Sequence, residues 1–392
     1  MTELAATLEH WLFTEALPLW WECGADHVGG GFYEAIDQRG RPRGRPRRVR
    51  VQARQAFVYA EAGRMGWSGP WKGAVDHATE FLFDRCLSHD GLFRDARAGS
   101  ADAASRYPLV YDQAFVVLAL AAAARSFPED SARYRDAAGE LMIAIHATYG
   151  LPGGVVRELR RGRWSFQSNP LMHLLEAALA WVEIDDSGEW GRVADTIVEF
   201  CLDRMVDPRN PVVAEYFASD WRAAPGRTGR IMVPGHQFEW ASLLARWGAM
   251  RGRSDAERAI HGLFRSGEGG VDPARGVAVN LLIGDRVANG GIASLWPQSE
   301  RLRAAVLLAH AEGGSMLPRA AEQAATTLLR YLDVPVRGLW REGHGPIGLL
   351  TDDPARATTL YHLVSAIAAA SNARQNGRPF GGAEAVRSRP PA

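Results

Sequence analysis

The stretch Pro234-Gly235-His236-Gln237-Phe238-Glu239-Trp240 begins the segment that says most about the fold. Pro-Gly predicts a turn, and residues 238 to about 250 follow with the pattern of a helix that is apolar on almost every side. A helix of that kind is buried. His236 and Glu239 stand three residues apart, so they share one face near the start of the helix. A single pair of this kind is also compatible with a structural role. A functional role becomes the better interpretation only if similar polar residues recur along the chain.

The helix that follows this stretch is one of two kinds of predicted helix that alternate along the chain. The apolar kind, which we expect to form an inner layer, covers 52–65, 109–126, 170–183, 238–250, 300–311 and 358–371. The amphipathic kind, which we expect outside it, covers 71–86, 131–149, 189–205, 254–266 and 317–332, with the opening helix at 3–20. Six inner and six outer helices predict an all-α fold, an (α/α)6 barrel. An open solenoid is the alternative, but it does not require an inner layer that is apolar all round.

A short motif separates the helical pairs. It consists of a glycine, an aromatic or β-branched residue and a charged residue, and it returns about every 60 residues. Its copies lie at 31–34, 91–95, 154–158, 338–342 and, more weakly, 212–216 and 270–272. This spacing leaves room for two helices and their loops. We therefore expect short β-tips between the helical hairpins, in a single domain over 1–376 followed by a disordered tail over 377–392.

Composition excludes several classes of function. The formal net charge is zero, so nothing indicates nucleic acid or an anionic membrane as a partner. The three cysteines, Cys23, Cys86 and Cys201, have neither metal-ligand nor redox spacing. Neither a signal-peptide pattern nor an apolar run long enough to cross a bilayer is found, so we expect a cytoplasmic protein. No phosphate-cradling glycine loop is present, and we expect no cofactor.

Polar residues recur in the first turn of each predicted inner helix, about 60 residues apart. In chain order they are Arg54; Tyr111 and Asp112; Asn169 and His173; His236 and Glu239; Trp296, Gln298 and Glu300; and His362. All inner helices of an (α/α)6 barrel run in the same direction, so their N-termini share one mouth. Because polar groups inside apolar helices are costly unless they are satisfied, we expect them to converge on one functional pocket.

The inventory of this pocket indicates acid–base chemistry on a polyol. Histidines supply acids and bases near neutral pH, and an arginine can stabilise an oxygen that becomes negative. These groups suit proton transfer next to a carbonyl through an enediol, without metal or cofactor. A glycosidase using Glu239, Asp112 or Glu300 is one alternative. A metal site built on His173 with Glu176 and His236 with Glu239 is another. A sugar-binding or scaffold protein without catalysis is the third.

The chain resembles the N-acylglucosamine 2-epimerase superfamily, and within it the bacterial D-mannose isomerases. The resemblance rests on Gly30-Gly31-Phe32-Tyr33-Glu34, Val51-Gln52-Ala53-Arg54-Gln55, Asn169-Pro170-Leu171-Met172-His173, the stretch 234–240, Leu295-Trp296-Pro297-Gln298 and Leu360-Tyr361-His362. It implies an (α/α)6 barrel that isomerises or epimerises a monosaccharide without metal, as a monomer or homodimer. The isomerase reaction would interconvert D-mannose and D-fructose. The alternative is a 2-epimerase for mannose and glucose or for N-acylhexosamines.

The resemblance also implies roles for individual residues. His236 and His362 correspond to the catalytic pair. Residues that would contact the sugar are Arg54, Tyr111, Asn169, His173, Glu239, Trp296 and Gln298. From their positions on different inner helices, we expect His362 to move the C2 proton and His236 to serve ring opening and the oxygen protons. We further expect Glu239 to hold a proton on the His236 ring and Arg54 to stabilise the enediolate.

A run of seven arginines lies among Gly and Pro at 39–50. We interpret it as a solvated loop after the first tip. A clamp for an anion or a sugar phosphate is the alternative interpretation. No aromatic residues are interleaved in the way that single-stranded nucleic acid requires.

Overall fold

The structure, a computed structural model, describes residues 1–44, 47–96, 108–160, 163–284, 291–309 and 316–376. Inner helices in these ranges are α2 (Val49–Arg64), α4 (Val110–Ser126), α6 (Ser168–Val182), α8 (Pro234–Arg251), α10 (Leu295–Ala309) and α12 (Ala357–Asn376). Outer helices are α1 (Thr2–Trp11), α3 (Trp71–Phe81), α5 (Ser131–Tyr149), α7 (Glu189–Phe200), α9 (Glu257–Glu268) and α11 (Met316–Leu332). π-helical turns extend this set at Leu12–Ala16, Trp20–Gly24, Leu82–Cys86 and Cys201–Met205. The tail predicted to be disordered lies outside the described residues.

The inner helices form a closed ring. Each packs against the next, and α12 packs against α2, which closes the circle. Each of α3, α5, α7, α9 and α11 packs outside the inner helix that precedes it, and α1 packs against α12 and α11. One hydrophobic core runs from Ala5 to Ala370. The predicted (α/α)6 barrel is confirmed, and its closure argues against the open solenoid.

The two helix layers differ because their sequences differ. α4 is buried on all sides, from Val110 to Ser126. In α5 the buried residues instead recur every three or four positions, at Tyr134, Ala138, Leu141, Ile145 and Tyr149. This spacing places them on one face of the helix and leaves the other face wet. Within the described residues, no helix is both long and apolar enough to span a membrane.

Short strands form the tips between the helical pairs. They are β1 (Ala35–Ile36), β2 (Pro42–Arg43), β3 (Glu158–Arg160), β4 (Arg163–Gln167), β5 (Tyr216–Phe217), β6 (Ile231–Met232), β7 (Val271–Asp272), β8 (Val277–Ala278), β9 (Leu282–Ile283), β10 (Ala293–Ser294), β11 (Gly343–His344) and β12 (Ala355–Arg356). They pair antiparallel in the orders β12-β1-β2, β3-β4-β5, β6-β9, β7-β8 and β10-β11. Because β12 pairs with β1, the last tip is joined to the first, Ala35 facing Arg356.

Four acidic residues of the tip motifs accept backbone N–H groups at the starts of inner helices. The Glu34 carboxylate accepts from the Arg48 backbone N–H at 2.9 Å, and Asp95 accepts from that of Val49 at 3.0 Å. Glu158 accepts from the Tyr111 N–H at 3.2 Å, and Glu342 from the Arg356 N–H at 2.7 Å. The first N–H groups of a helix have no partner inside it, and a carboxylate there also complements the helix dipole. This explains why the repeated motif ends in a charge.

A second repeated device is a buried glutamine at the fourth position of four inner helices. Each glutamine accepts a backbone N–H and donates to the C=O of one tip residue. The pairs are Gln52 with Phe32, Gln113 with Phe93, Gln237 with Val213, and Gln298 with Ala278. Leu171 and Leu360 occupy the same position in α6 and α12. These glutamines fix the tips to the ring.

Gln298 therefore has a structural position. Its Oε1 and Nε2 each lie 2.8 Å from the backbone of Ala278, and its side chain is 1 % exposed. The sequence-based expectation that Gln298 contacts the sugar is not supported, because both ends of its amide are already bonded. Gln298 is also absent from the described residues that line the cavity described below.

Replacing Gln298 with Leu should destabilise the fold and leave the binding of substrate intact. The change leaves the N–H and C=O of Ala278 buried without partners, so we expect the free energy of unfolding to fall by about 3 kcal/mol. Urea denaturation followed by circular dichroism measures this. Gln375→Leu, on the exposed end of α12, is the matched control. Unchanged stability with a raised KM would instead show that Gln298 acts on the substrate.

Two inner helices begin about one turn earlier than the sequence patterns predict. α8 begins at Pro234 rather than 238, and α10 at Leu295 rather than 300. Pro234 and Pro297 both lie in the first turn of a helix, where a proline loses no hydrogen bond because the N–H there has no intrahelical partner. The turn predicted at Pro234-Gly235 is thus the start of α8. Consequently His236 and Trp296 lie inside the ring, on its N-terminal rim.

Candidate active site

A cavity of about 270 Å³ lies at the N-terminal ends of the inner helices. The structure brings to its wall every residue that the family resemblance assigned to the site except Gln298. These residues are Arg54, Tyr111, Asn169, His173, His236, Glu239, Trp296 and His362. Ser294, Glu342, Arg356, Thr358 and Thr359 complete the described lining. The N-termini of all six inner helices thus contribute to one polar pocket.

His236 is oriented by a carboxylate that the sequence analysis did not nominate. Its Nδ1 lies 2.7 Å from Oε1 of Glu215, in the tip that precedes α8. Because an ionised carboxylate can only accept, Nδ1 of His236 is the donor in this hydrogen bond. We expected Glu239 to hold a proton on the His236 ring, and this is wrong. The carboxylate that contacts the ring belongs to Glu215. Oε1 of Glu239 lies 3.8 Å from His173 instead.

His362 has the same arrangement deeper in the ring. Its Nδ1 lies 2.6 Å from Oε1 of Glu300 on α10, and both residues are buried. Burial lowers the pKa of His362 and outweighs the nearby Glu300 carboxylate, which raises it. The His362 ring is therefore neutral at physiological pH, with Nδ1 protonated and Nε2 free to act as a base.

Trp296 contacts both of these histidines. Its ring centroid lies 5.1 Å from that of His236 and 5.4 Å from that of His362, with interplanar angles of 40° and 39°. The indole is half-buried on the cavity wall. A flat aromatic surface between two imidazoles can pack against the C–H face of a sugar and keep water from it.

Arg54 is a buried cation on the cavity wall. One of its Nη atoms donates to the Tyr111 hydroxyl at 2.6 Å, and the other donates to the Thr358 carbonyl at 3.1 Å. The guanidinium lies 4.0 Å from the Phe115 ring centroid. Its Nε has no hydrogen-bond partner among the described residues. Arg54 therefore keeps donor capacity for an oxygen of a bound ligand.

Glu239 and Asn169 present unused polar atoms. Within the described part of the chain, neither carboxyl oxygen of Glu239 has a hydrogen-bond partner, and neither does the buried Oδ1 of Asn169. Burial, together with the charges of Glu300 and Glu176, raises the pKa of Glu239 far above its usual range. This shift favours the protonated form of Glu239, which can donate a hydrogen bond. Buried polar atoms without partners are expected where a polar ligand completes them.

His173 is held neutral beside Glu239. Burial lowers the pKa of His173 to about 4, although its hydrogen bond to Glu176 raises it. Nδ1 of His173 lies 3.1 Å from Oε2 of Glu176, and the ring packs edge-on against Tyr111 at 5.1 Å between centroids. His173 is thus suited to hydrogen bonding and packing, and much less to carrying a proton.

Beneath the pocket, Arg303 connects the carboxylates that hold the histidines. Its guanidinium lies 3.3 Å from Oε1 of Glu176 and 3.6 Å from Oε2 of Glu300. Glu176 also accepts a hydrogen bond from the Tyr361 hydroxyl. Burial would raise the pKa of Glu176, but the hydrogen bond from His173 and the charge of Arg303 lower it. Oε1 of Glu300 accepts from Nδ1 of His362 and thereby fixes the tautomer of that ring.

Two groups of side chains in this region have ligand atoms close enough to hold a metal ion. They are His173, Glu176 and Glu239, and Glu239, Glu300 and His362, with all atoms of each group within 4.8 Å of one another. In both groups the histidine Nδ1 already bonds a carboxylate, and Arg303 supplies the neighbouring positive charge. The histidines, Glu176 and Glu300 are thus bonded within the protein, whereas Glu239 has no hydrogen-bond partner among the described residues, and this donor set could also serve a divalent ion.

The arginine-rich segment 39–50 is largely neutralised by carboxylates. Arg41 and Arg43 pair with Asp37, and Arg47 pairs with Asp26. Arg48 pairs with Glu34, and Arg50 pairs with Asp112. Arg45 lies outside the described residues. None of the described arginines in this segment lines the cavity, which argues against a clamp for a ligand bound there. Arg41 and Arg43 are exposed, as a solvated loop requires, whereas Arg47 and Arg50 are largely covered and Arg50 belongs to α2.

Glu215 and Glu342 were not predicted from sequence as parts of the site, because they were recognised only as members of the repeated tip motif. Glu300 was expected in the pocket, but its pairing with His362 was not. One feature of the sequence could have indicated Glu215 and Glu342, because several tip motifs end in an acidic residue and the tips lie beside the N-termini of the inner helices. Which carboxylate turns to a histidine and which caps a backbone N–H depends on side-chain direction, and the motif does not encode that.

Comparison with known proteins agrees with this architecture. The sequence profile of the N-acylglucosamine 2-epimerase (GlcNAc 2-epimerase) family matches residues 31–366. A protein of Rhizobium meliloti (strain 1021) named mannose-6-phosphate isomerase is 40% identical over 373 residues, which are 93% of this chain and 95% of that protein. A D-mannose isomerase of Thermobifida fusca is 30% identical over 269 residues, 62% of this chain and 64% of the relative. The cellobiose 2-epimerase of Bacillus thermoamylovorans B4167 superposes with a TM-score of 0.83 at 16% identity, covering 94% of this chain and 99% of that one.

Proposed function

The chain belongs to the N-acylglucosamine 2-epimerase family, and from that premise we propose that it is an aldose–ketose isomerase that interconverts D-mannose and D-fructose through a cis-enediol. The observation that carries the proposal is His362: a neutral base on the cavity wall, held through Nδ1 by Glu300 with Nε2 free. The names of the two sequence relatives support mannose or its phosphate as the substrate.

The proposed reaction balances without a redox partner. Nε2 of His362 removes the proton from C2 of the open-chain aldose, and the carbonyl oxygen at C1 takes up a proton, which gives the enediol. The same imidazolium then delivers its proton to C1, and the hydroxyl at C2 loses its proton and becomes the ketone. Arg54 stabilises the oxygen that is negative in between. His236 serves ring opening and the oxygen protons.

The other wall residues would position the sugar. Glu239, neutral because of burial, donates a hydrogen bond to a sugar oxygen, and Oδ1 of Asn169 accepts from a hydroxyl. Tyr111 and His173 contact the sugar with their ring edges and polar atoms, and Trp296 packs against a C–H face. Every proton needed is supplied by side chains, so the proposed reaction needs no cofactor.

A 2-epimerase is the second candidate, and one observation favours it. His236 and His362 each have a carboxylate on Nδ1, and both contact Trp296. Two equivalent acid–base groups against the same aromatic ring are what an epimerase needs, because it returns the proton to C2 from the opposite face. A glycosidase is disfavoured, because it needs two carboxyl groups across the substrate and, of Glu239, Asp112 and Glu300, only Glu239 lines the cavity.

The deciding experiment identifies the first product from D-mannose by NMR. We expect fructose to appear before any glucose. If glucose formed without early fructose, the isomerase proposal would be wrong and the epimerase proposal would take its place. No conversion of mannose, mannose 6-phosphate or N-acetylglucosamine would contradict both proposals and leave a binding function.

The arginine-rich segment should be dispensable for catalysis on free mannose. Replacing Arg39, Arg41 and Arg43 with Ser should change kcat/KM by less than about twofold, because exposed ion pairs contribute little and none of the three lines the cavity. Steady-state kinetics with mannose and with mannose 6-phosphate measures this.

Arg356→Ser is the comparison variant for the same kinetics, because Arg356 is exposed on the cavity rim. If the sugar phosphate is the better substrate, we expect this variant to raise its KM and to leave that of mannose nearly unchanged. A KM rise for the phosphate in the triple variant alone would assign the phosphate contact to the segment 39–50 and overturn its interpretation as a solvated loop.

Catalysis should be independent of metal. Exhaustive dialysis against EDTA should leave turnover of mannose within about twofold of the untreated enzyme, since a metal-assisted reaction would lose several kcal/mol of transition-state stabilisation. Elemental analysis of the dialysed protein verifies that metal has been removed. Activity that is lost on dialysis and restored by one divalent ion would assign the His173 and His362 groups to a metal centre.

A further inference from the structure

A second cavity, of about 220 Å³, lies at the other end of the ring. It lies among residues from the second halves of the six inner helices, opposite the N-terminal pocket. We call it the far cavity and define it by one residue of each inner helix: Phe57, Leu118, Ala180, Ala245, Leu308 and Ala369. Its wall is mostly apolar, and alanines on three of the helices leave the space open. A mostly apolar pocket with a few polar groups is the usual form of a small-molecule site.

The far cavity contains a polar atom that lacks a partner. The hydroxyl of Ser365 lies on its wall, is buried, and has no hydrogen-bond partner within the described ranges. A serine inside a helix can bond the carbonyl four residues earlier, and here it does not. A buried hydroxyl without a partner costs free energy, so its presence indicates a ligand group or water at this point of the cavity.

Charged side chains surround the mouth of the far cavity, and we call this group the belt. Arg125 and Arg246 both donate to Glu183, and Arg64 donates to Glu61. Among the described residues that line the mouth, three guanidinium groups thus accompany two carboxylates, so this lining carries more positive than negative charge. At the inner end, by contrast, Glu176 and Arg303 pair with each other. An anionic group is therefore complemented at the mouth and not at the inner end.

We propose that the far cavity binds a small carboxylic acid with an apolar body. The apolar body lies between Ala245, Ala369 and Phe57, and the carboxylate lies among the belt arginines Arg64, Arg125 and Arg246. A hydrogen-bonding group along the body, or one retained water, satisfies the hydroxyl of Ser365. This site is separate from the sugar pocket, and its occupancy does not depend on which reaction the pocket catalyses.

Isothermal titration calorimetry of the full chain with hexanoate tests the proposal, with hexanol as the uncharged probe. We expect saturable one-site binding of hexanoate and at least about tenfold weaker binding of hexanol. Arg125→Gln should weaken hexanoate binding roughly five- to tenfold, because it removes the excess charge at the belt. Arg253→Gln, a surface arginine paired with Glu199 and Asp255, is the matched control and should bind like the wild type.

The second part of the test fills the far cavity with a larger side chain. Ala245→Leu should abolish hexanoate binding and leave D-mannose binding in the N-terminal pocket intact. Ala369→Val provides the same test if the first variant does not fold. No saturable binding to the wild type would mean that the cavity holds water only and would overturn the proposal. Equal affinity for hexanoate and hexanol, or unchanged binding in both filled variants, would overturn it as well.

Discussion

His362→Asn should abolish both the conversion of mannose and the exchange of its C2 hydrogen with deuterated water. The variant keeps a polar side chain that fits the site but has no basic nitrogen, so the proton on C2 has no acceptor. General base catalysis contributes about 10²- to 10⁴-fold, and we expect turnover to fall by roughly 10³-fold or more. NMR of mannose in D₂O follows product formation and loss of the C2 proton in the same sample.

The pH dependence of kcat/KM is a second test of the role of His362. His362 must be neutral to accept a proton, and burial lowers its pKa below the ordinary range. The decrease of kcat/KM on the acidic side should therefore occur at a lower pH than an ordinary histidine would give. Glu300 raises the pKa of His362, so Glu300→Gln should move this acidic limb to still lower pH. The neutral amide of this variant would also hold the imidazole less firmly than the carboxylate does, so the plateau itself should fall.

His146→Asn is the control for these experiments, because His146 is exposed on the outer helix α5. This variant should convert mannose and exchange C2 like the wild type. If His362→Asn exchanged the C2 hydrogen at the wild-type rate while losing conversion, His362 would act after the proton is removed, and another group would be the base.

The fold could be predicted from sequence because its two layers differ in pattern. Residues 109–126 show no polar face, whereas 131–149 show one, and these patterns correspond to the ring and its outer layer. The positions of Arg54, Tyr111, His173, His236 and His362 could be predicted to converge for a related reason. Helices that run in the same direction around a closed ring bring their N-termini together, whatever side chains they carry.

The errors have one physical origin, which is that side-chain direction is set by tertiary contacts. Gln298 recurs in phase with the functional residues, yet its amide bonds the tip backbone at Ala278. Glu239 follows His236 by three residues, yet its carboxyl group lies beside His173. The partner of His236 comes from Glu215, in the tip before α8. Spacing along a helix predicts a shared face, and the neighbouring tips then decide which groups meet.

The same contacts give the two catalytic histidines unequal surroundings. His362 is buried, packs against Trp296 and bonds a fully buried Glu300. The guanidinium of Arg303 lies 3.6 Å from the other carboxyl oxygen of Glu300. His236 is less buried, and its partner Glu215 lies on a tip at the mouth of the ring. A buried base with one fixed tautomer suits proton transfer at carbon, which must proceed without water. A more accessible group suits the oxygen protons, which exchange with solvent.

From this difference we expect His236→Asn to impair ring opening more than proton transfer at C2. Turnover of mannose, which is mostly a closed ring in solution, should fall by about 10²-fold. Exchange of the C2 hydrogen in glyceraldehyde, which is too short to close a stable ring, should remain close to that of the wild type. Glu215→Gln should lie between the wild type and His236→Asn, because it loses the orientation of the ring but keeps the imidazole. If His236→Asn abolished C2 exchange in both sugars while His362→Asn retained it, the two histidines would have the opposite roles.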